Sequence, residues 1–295
     1  MTARVIDGKE VAAGMRAEIR EEVTRLKADH GLIPGLAVVL VGDNPASISY
    51  VKGKRQACDE SGIRSLERRY PATLGSDELI GVVEELNRDE TVHGILVQLP
   101  LPGQDEARVL QAIAPDKDVD GLHPVNLGRL MRQEEGFLPC TPHGVQQMLV
   151  RSGIEVEGRH VVIVGRSILV GRPLANILTQ KAPGANATVT VCHTGTRDLG
   201  RYTRQAEILV VAAGRPNTVT VEMVADAAVV IDVGVNRVED PRKKQGFRLV
   251  GDVDYEAVRE KASAITPVPG GVGPMTITML LYNTVWAAKR THGIA

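Results

Sequence analysis

The sequence is poor in aromatic residues, and it has no excess of charge of either sign. Phenylalanine, tryptophan and tyrosine make up only 3% of its 295 residues, which argues against a stacking platform for nucleic-acid bases. The 35 basic residues are balanced by 36 acidic ones, so charge does not favour a nucleic-acid or membrane partner.

Cysteine is also scarce. Cys58, Cys140 and Cys192 lie far apart in the chain and form no Cys-x-x-Cys motif, so we expect reduced core thiols and no metal site. The first ten residues lack the apolar stretch of a signal peptide. The longest apolar helix, at about 276–288, is too short to span a bilayer and contains Asn283. These features predict a cytoplasmic protein.

Helix and strand patterns alternate along the whole chain, which predicts an α/β fold with a mainly parallel sheet covered by helices. The first helix follows Asp7 as a cap and has one apolar face, formed by Val11, Met15, Ile19, Val23 and Leu26. Strands are predicted at 36–41, 94–99, 160–164, 187–192, 208–212 and 228–233. Further helices are predicted at 45–62, 77–87, 103–113, from Thr141 onward, at 171–181 and at 274–290.

The loop-rich stretch 115–139 interrupts this alternation and suggests two α/β domains with a cleft between them. We assign residues 1–125 to the first domain, completed by a C-terminal helix at 274–295. Residues 126–273 form the second domain, which we expect to be Rossmann-like. The segment 239–246 is expected to be an exposed hairpin tip or loop.

An apolar strand, a glycine turn and a helix start follow one another at 161–173, where a dinucleotide-binding fold has its phosphate loop. The spacing Gly165-x-Ser167-x-x-x-Gly171 departs from the usual G-x-G-x-x-G, so the motif alone is weak. Glycine-bearing turns after the strands at 208–212 and 228–233 are expected at the same sheet edge, near the nicotinamide.

The end of the next strand favours NADP over NAD. NAD enzymes usually have Asp or Glu at this point, but residues 192–197 contain neither. Instead, Arg166, His193, Thr194 and Arg197 supply donors and positive charge suited to a 2′-phosphate. The alternative is that His193 merely ends a strand.

A second glycine turn, at 265–276, contains three glycines and three prolines and leads into the last helix. Such a turn exposes backbone N–H groups to a ligand, and Pro274 suits the first position of the helix. The alternative is a tight strand-to-helix connection without a ligand.

Tyr50 and Lys54 are four residues apart on a predicted helix and so share one face. A pair at this spacing is usually ordinary surface, but other polar groups strengthen a functional interpretation. Gln98 ends an apolar strand and is followed by two prolines, and Asp120 lies in the predicted interdomain loop.

Taken together, the motifs resemble the bifunctional methylenetetrahydrofolate dehydrogenase/methenyltetrahydrofolate cyclohydrolase family. They run in family order over nearly the whole length: Tyr50-Val51-x-x-Lys54, Gly94-Ile95-Leu96-Val97-Gln98-Leu99-Pro100-Leu101-Pro102, Lys117-Asp118-Val119-Asp120-Gly121, Pro139-Cys140-Thr141-Pro142, Gly165-Arg166-Ser167 and Pro269-Gly270-Gly271-Val272-Gly273-Pro274-Met275-Thr276.

The resemblance implies a homodimer that oxidises 5,10-methylenetetrahydrofolate with NADP and hydrolyses the methenyl product to 10-formyltetrahydrofolate. Such an enzyme supplies one-carbon units for purine, methionine and histidine biosynthesis. The resemblance implies that the tyrosine stacks on the folate ring, the lysine is the central catalytic group, the glutamine bonds to it and the aspartate holds the pterin. The expected catalytic residues are Tyr50, Lys54, Gln98 and Asp120.

The same four residues are expected to bind substrate together with Val97, Leu99, Pro269, Gly270, Gly271, Val272, Gly273 and Thr276. The expected cofactor-binding residues are Gly165, Arg166, Ser167, His193, Thr194, Arg197, Ala213, Gly214, Val233, Gly234 and Val235.

Three positions depart from the family pattern. Gln56 stands where a second lysine is common, Ile168-Leu169 replaces a polar residue followed by Ile, and Thr194-Gly195 replaces Ser followed by a basic residue. Gln56 leaves open a dehydrogenase with weak or absent cyclohydrolase activity. A different NADP dehydrogenase on the same plan and a non-enzymatic nucleotide sensor are the remaining alternatives.

Overall fold

The structure is a computed structural model that describes residues 2–243 and 246–294. The chain divides into two compact units. Met1–Ala12 and Thr141–Thr276 form one, which contains a six-stranded sheet and is called here the six-stranded unit. Ala13–Cys140 and Ile277–Ala295 form the other, the three-stranded unit.

Helices and strands alternate along the chain, as the sequence predicts. In chain order they are β1 (Arg4–Val5), α1 (Gly8–His30), β2 (Gly35–Val41), α2 (Pro45–Ser61), β3 (Arg64–Tyr70), α3 (Ser76–Arg88), β4 (Gly94–Val97), α4 (Glu106–Ala112), α5 (Pro124–Arg132), α6 (Cys140–Arg151), β5 (His160–Val164), α7 (Gly171–Thr179), β6 (Thr188–Cys192), α8 (Leu199–Thr203), β7 (Ile208–Val211), β8 (Val229–Asp232), β9 (Asn236–Glu239), β10 (Phe247–Val250), α9 (Tyr255–Arg259), β11 (Ala264–Ile265) and α10 (Val272–Thr291).

The three-stranded unit is built around β2, which pairs in parallel with β3 on one side and β4 on the other. All seven residues of β2 are buried, which explains its uninterrupted apolar sequence. Asn44 caps α2 by accepting from the backbone N–H of Ala46 at 2.9 Å. This start places Tyr50 and Lys54 in the middle of a regular helix.

The six strands of the other sheet are all parallel, in the order β1-β11-β8-β7-β5-β6. The turns that follow β5, β6, β7 and β8 therefore emerge at one edge of this sheet, the edge at which dinucleotides bind in such folds. β9 and β10 form a separate antiparallel hairpin. Its tip is the predicted hairpin segment 239–246, of which residues 244 and 245 lie outside the described residues.

The two longest elements absent from the sequence-based prediction are β3 and α5. β3 reads Arg-Ser-Leu-Glu-Arg-Arg-Tyr, and this strand at the edge of its sheet is only partly buried, so it has no apolar run. α5 lies inside the predicted loop 115–139 and begins at Pro124, with His123 accepting from the N–H of Val125. Its short length and surrounding turns conceal the helical pattern. The last helix also begins at Val272, two residues before the predicted position, so Pro274 lies within its first turn.

The compact units differ from the predicted domain bounds. The first twelve residues group with the six-stranded unit because β1 pairs with β11 at the edge of that sheet. The change between units falls at Cys140–Thr141 rather than at 125–126, because α5 and the loop after it remain with the three-stranded unit. α10 passes from one unit to the other after Thr276.

Within residues 2–243 and 246–294, no helix is long and apolar enough to cross a membrane. The same residues contain no cluster of three His, Cys, Asp or Glu side chains that could hold a metal ion. The three cysteines are unpaired and buried, as the sequence predicts for core thiols.

His93 is a buried histidine that ties two strands of the three-stranded unit together. Its Nδ1 atom accepts from the N–H of Gly35 at 3.0 Å, and its Nε2 atom has no partner among the described residues. Burial lowers the pKa of His93 to about 4, and nearby His292 and Lys117 act in the same direction. The protonated form is therefore disfavoured in the folded protein.

We expect His93→Asn to reduce the acid sensitivity of the fold. The pKa of His93 is lower in the folded chain than in the unfolded chain, so its contribution is intact above pH 6.5 and is lost as the pH falls toward 4. This loss amounts to about 1.4 kcal/mol per pH unit at most. Asparagine keeps an acceptor for Gly35 and does not titrate.

Urea unfolding between pH 7 and 4 measures this effect, with the exposed residue His30 as a matched control. The free energy of unfolding of His93→Asn should fall less steeply than that of the wild type, whereas His30→Asn should follow the wild type. Identical slopes for all three proteins would contradict the assignment.

Candidate active site

Lys54 is a buried lysine of the three-stranded unit. It lies on α2 and is only 8% exposed, which is unusual for lysine. Its Nζ atom donates to Oε1 of Gln98 at 2.9 Å. Gln98 follows the last residue of β4, and its Nε2 atom donates to the carbonyl of Leu99 at 2.8 Å, which fixes the orientation of the amide. Lys54 therefore faces an acceptor that carries no charge.

Burial lowers the pKa of Lys54 below its ordinary value of 10.5, because removal from water disfavours the ammonium form. The negative charge of Asp120 acts in the opposite direction. Burial raises the pKa of Asp120, while Lys54 and a hydrogen bond with Cys140 lower it. The site thus combines a desolvated amine, a neutral amide and a carboxylate.

Two aspartates in the loop after α4 have different surroundings. Asp118 is buried and accepts from the N–H groups of Leu122 and His123 and from Nδ2 of Asn126 at 2.8–3.2 Å. Asp118 therefore holds the loop, and burial raises its pKa to about 6. Asp120 is partly exposed and interacts with Lys54. The structure thus gives a structural role to the first carboxylate and leaves the second available to a ligand.

Tyr50 lies one turn before Lys54 on α2, and 49% of its surface is exposed. An exposed ring beside a buried amine offers a flat apolar surface to a ligand. Val97 and Leu99 flank Gln98, with Val97 buried and Leu99 partly exposed. The structure thus brings Tyr50, Lys54, Gln98 and Asp120 into one unit.

Sequence reasoning gave no role to two residues of this site. The Sγ atom of Cys140 donates to the carbonyl of Val119 at 3.3 Å, and the thiol is also within hydrogen-bonding reach of the Asp120 carboxylate. Asn283, on α10, donates from Nδ2 to the carbonyls of Val119 and Leu138 at 2.8 and 3.1 Å. One signal was visible in the sequence, since an asparagine in a strongly apolar helix requires hydrogen-bond partners when it is buried.

Gln56 does not share the buried face of Lys54. Its side chain is exposed, and its Nε2 atom donates to Oε1 of Glu60 at 2.8 Å on the same helix. The lowered pKa of Lys54 comes first from burial, which does not depend on a second lysine at position 56.

The remaining candidate substrate residues belong to the six-stranded unit. Pro269, Gly270 and Gly271 precede α10, and Val272, Gly273 and Thr276 form its first turns. The hydroxyls of Thr276 and Thr141 are 2.9 Å apart. This contact ties the first turns of α10 to the beginning of α6.

The turn between β5 and α7 requires a glycine at its start. Gly165 has φ +139°, and a Cβ atom there would overlap the carbonyl of Ala212, so only glycine fits. Ser167 accepts from the N–H of Val170 at 3.1 Å, and α7 begins at Gly171. Exposed Arg166 lies in the same turn.

The turn after β6 is compact and has no carboxylate at its start. The N–H of His193 donates to Oγ1 of Thr196 at 2.9 Å, and Nδ1 of His193 accepts from the N–H of Gly195 at 3.1 Å. Thr194 and Arg197 are exposed. In the part of the chain that the structure describes, neither Arg166 nor Arg197 forms an ion pair. Their positive charges are therefore not neutralised by a described carboxylate and are available to an anionic ligand.

The turns after β7 and β8 contain the other candidate cofactor residues: Ala213, Gly214, Val233, Gly234 and Val235. A cavity of about 600 Å³ opens at the opposite edge of this sheet, where β7 and β8 begin. Arg159, one of the arginines that line this cavity, pairs with Glu155 and Glu207, and no candidate site residue lines it. The cofactor residues thus cluster at the other edge.

Comparison with known proteins gives consistent results for both halves of the chain. Residues 6–120 match the family model "Tetrahydrofolate dehydrogenase/cyclohydrolase, catalytic domain", and residues 139–292 match the NAD(P)-binding domain of the same name. The bifunctional protein FolD of Dehalococcoides mccartyi is 59% identical over 296 residues, which cover 100% of this chain and 99% of the relative.

Solved structures agree. The FolD methylenetetrahydrofolate dehydrogenase/cyclohydrolase of Campylobacter jejuni is 49% identical with a TM-score of 0.92, covering 98% of this chain and 99% of that one. The Trypanosoma brucei enzyme, complexed with NADP and an inhibitor, is 42% identical with a TM-score of 0.93, covering 99% of both chains.

Proposed function

Because the chain belongs to the tetrahydrofolate dehydrogenase/cyclohydrolase family, we propose that Tyr50, Lys54, Gln98 and Asp120 carry its two reactions. The enzyme oxidises 5,10-methylenetetrahydrofolate with NADP and hydrolyses the resulting 5,10-methenyltetrahydrofolate to 10-formyltetrahydrofolate. The observation that carries the assignment of residues is the buried Lys54 amine, bonded to Gln98 and interacting with Asp120.

The pterin ring of the substrate is bound by an apolar surface and by a carboxylate. The exposed ring of Tyr50 stacks on the pterin, and the carboxylate of Asp120 accepts the paired N–H donors of its 2-amino-pyrimidine edge. Val97 and Leu99 supply apolar contacts beside Gln98. The other candidate substrate residues, the turn at 269–273 and Thr276, belong to the six-stranded unit.

The hydride step depends mainly on positioning. The methylene carbon between N5 and N10 loses a hydride as the nitrogen lone pair forms a C=N bond, which leaves the methenyl cation. NADP, when bound, supplies the acceptor for that hydride. Lys54 and Gln98 hold the folate at the reacting carbon, and no side chain has to exchange a proton in this step.

Hydrolysis requires proton transfer. Water adds to the methenyl carbon and loses one proton, which gives a carbinol. N5 then gains a proton, the C–N5 bond breaks, and the hydroxyl proton leaves as the formyl C=O forms, so one proton is released overall. A neutral Lys54 amine can take the first proton and return one to N5. Desolvation raises the neutral fraction of Lys54, and a cationic substrate nearby raises it further.

The cofactor is bound at the edge of the six-stranded sheet. Gly165 and Ser167 approach the pyrophosphate, while Arg166, Arg197, His193 and Thr194 surround the 2′-phosphate. The candidate residues on the nicotinamide side are Ala213, Gly214, Val233, Gly234 and Val235.

We further propose that the enzyme is a cytoplasmic homodimer that supplies one-carbon units for purine, methionine and histidine biosynthesis. Three unpaired cysteines support a reducing compartment. β6 ends the six-stranded sheet, and Val191 on it is exposed, which suits association with a second copy. Light scattering should give twice the chain mass of 31.7 kDa.

An absorbance assay tests both activities in one preparation. The protein is mixed with 5,10-methylenetetrahydrofolate and NADP, with NAD in parallel, and the methenyl product is read after acid quenching. Supplied methenyltetrahydrofolate is followed separately as it disappears. We expect NADP reduction and accelerated methenyl loss. Reduction without accelerated loss would favour a dehydrogenase lacking the cyclohydrolase, and no turnover would contradict the folate assignment.

Lys54→Met should abolish methenyl hydrolysis and damage hydride transfer less. Loss of a general acid–base group costs roughly 100-fold or more in rate, whereas the hydride step loses only positioning. Lys52→Met is the matched control, because Lys52 is exposed on the same helix. Equal residual rates for the two steps in Lys54→Met would contradict this division of roles.

Replacing both Arg166 and Arg197 by alanine should weaken NADP binding by ~10-fold or more and change NAD binding little. Charged hydrogen bonds to a phosphate contribute roughly 1.5–3 kcal/mol, and NAD lacks the 2′-phosphate. Arg159→Ala removes one positive charge at the opposite sheet edge as a control. An equal loss of affinity for both dinucleotides in the double variant would argue against this 2′-phosphate site. Calorimetric titration measures these affinities.

A further inference from the structure

Two buried carboxylates lie behind the turns assigned to the nicotinamide side of the cofactor. Asp232 is the last residue of β8, and Asp252 follows β10 by two residues. They are 2% and 0% exposed. Neither forms an ion pair with any residue that the structure describes. Buried carboxylates are costly unless hydrogen bonds satisfy them, so their partners indicate their role.

Asp252 binds the turn after β7. Its Oδ2 atom accepts from the N–H groups of both Ala213 and Gly214, at 2.6 and 2.7 Å. Its Oδ1 atom accepts from Nδ2 of Asn236 at 2.8 Å, and Asn236 is the first residue after the turn that follows β8. One side chain therefore contacts both turns.

Asp232 holds Asp252 in place. Its Oδ1 atom accepts from the N–H groups of Gly234 and Asp252, both at 3.0 Å, and its Oδ2 atom accepts from the N–H of Val253 at 2.9 Å. Burial raises the pKa of Asp232 to about 6, and the charge of Asp252 acts in the same direction. Above that pH the ionised carboxylate accepts all three hydrogen bonds.

Two glycines make this arrangement possible. A Cβ atom on Gly234 would overlap the carboxylate of Asp252, and a Cβ atom on Gly251 would overlap that of Asp232. The backbone thus approaches each carboxylate more closely than any other residue type would allow. Five backbone N–H groups, from three separate turns, converge on two side chains.

We propose that Asp232 and Asp252 form a carboxylate brace that positions the turns at 213–214 and 233–235 for the nicotinamide side of NADP. This inference rests on the proposed assignment of those turns to the cofactor. The brace residues are positioning residues, because they act through backbone atoms of the turns. Fixing the peptide groups before binding removes an ordering cost from cofactor affinity.

The two activities of the enzyme provide an internal control, since methenyl hydrolysis does not consume NADP. Asp252→Asn places an amide group against N–H donors and against the amide of Asn236, so one contact must be lost. We expect Kd and KM for NADP to rise by ~10-fold, while hydrolysis of supplied methenyltetrahydrofolate stays within ~2-fold of wild type.

Matched variants separate positioning from general loss of stability. Asp240→Asn alters another buried carboxylate of the same unit, whose partner is Arg242, and should leave NADP affinity unchanged. Asn236→Ala keeps both carboxylates and removes the hydrogen bond from Asn236 to Asp252. It replaces Asp252→Asn as the test variant if Asp252→Asn does not fold. It should raise Kd for NADP by a smaller factor, ~3-fold, again without loss of hydrolysis.

Val235→Glu tests the underlying assignment separately, because Val235 is exposed in the turn after β8. Weaker NADP binding in Val235→Glu, with unchanged affinity in folded Asp252→Asn and Asn236→Ala, would overturn the brace alone. Unchanged affinity in all three variants would overturn the assignment of the turns as well. A parallel fall of both activities at unchanged Kd would also reject the brace, since it would indicate only a structural role.

Discussion

The removal of one lysine from water is the constraint on which the candidate active site depends. Lys54 lies on the buried face of α2, and its position is set by the cap at Asn44 and by packing on a fully buried β2. Gln98, at the end of β4, provides a neutral acceptor. A carboxylate in its place would strengthen the ammonium form and oppose proton transfer at neutral pH.

Each candidate site contains a pair of carboxylates with different roles. One aspartate of the pair holds the local backbone, and the other contacts the groups of the site. The carboxylate of Asp118 accepts three hydrogen bonds from residues 122–126. Asp120 instead interacts with Lys54 and is the carboxylate proposed to bind the substrate. Asp232 similarly holds Asp252, which in turn holds the cofactor turns. A buried carboxylate with several N–H donors can fix a loop without a salt bridge.

The sequence alone was sufficient for much of the fold and of the candidate chemistry. Periodicity located most helices and the central strands, because buried parallel strands such as β2 are apolar throughout. It missed β3, whose edge position tolerates arginine and glutamate, and α5, which lies between turns.

Motifs predicted roles for Lys54, Gln98 and Asp120, but they gave no role to Asn283 or Asp252. Those two act through backbone atoms distant in sequence, and a single sequence does not reveal such contacts. The sequence also did not show that Gln56 lies on the exposed face of α2, where it bonds to Glu60.

The most direct test of this account is a titration of Lys54 in the ligand-free enzyme. Lysine labelled with ¹³C at Cε can be followed by NMR across the alkaline range, and the Lys54 signal is assigned by its absence from Lys54→Met. We expect a pKa for Lys54 clearly below the ordinary lysine value of 10.5. A pKa at or above that value would contradict it, because the amine would then be charged when hydrolysis requires a base.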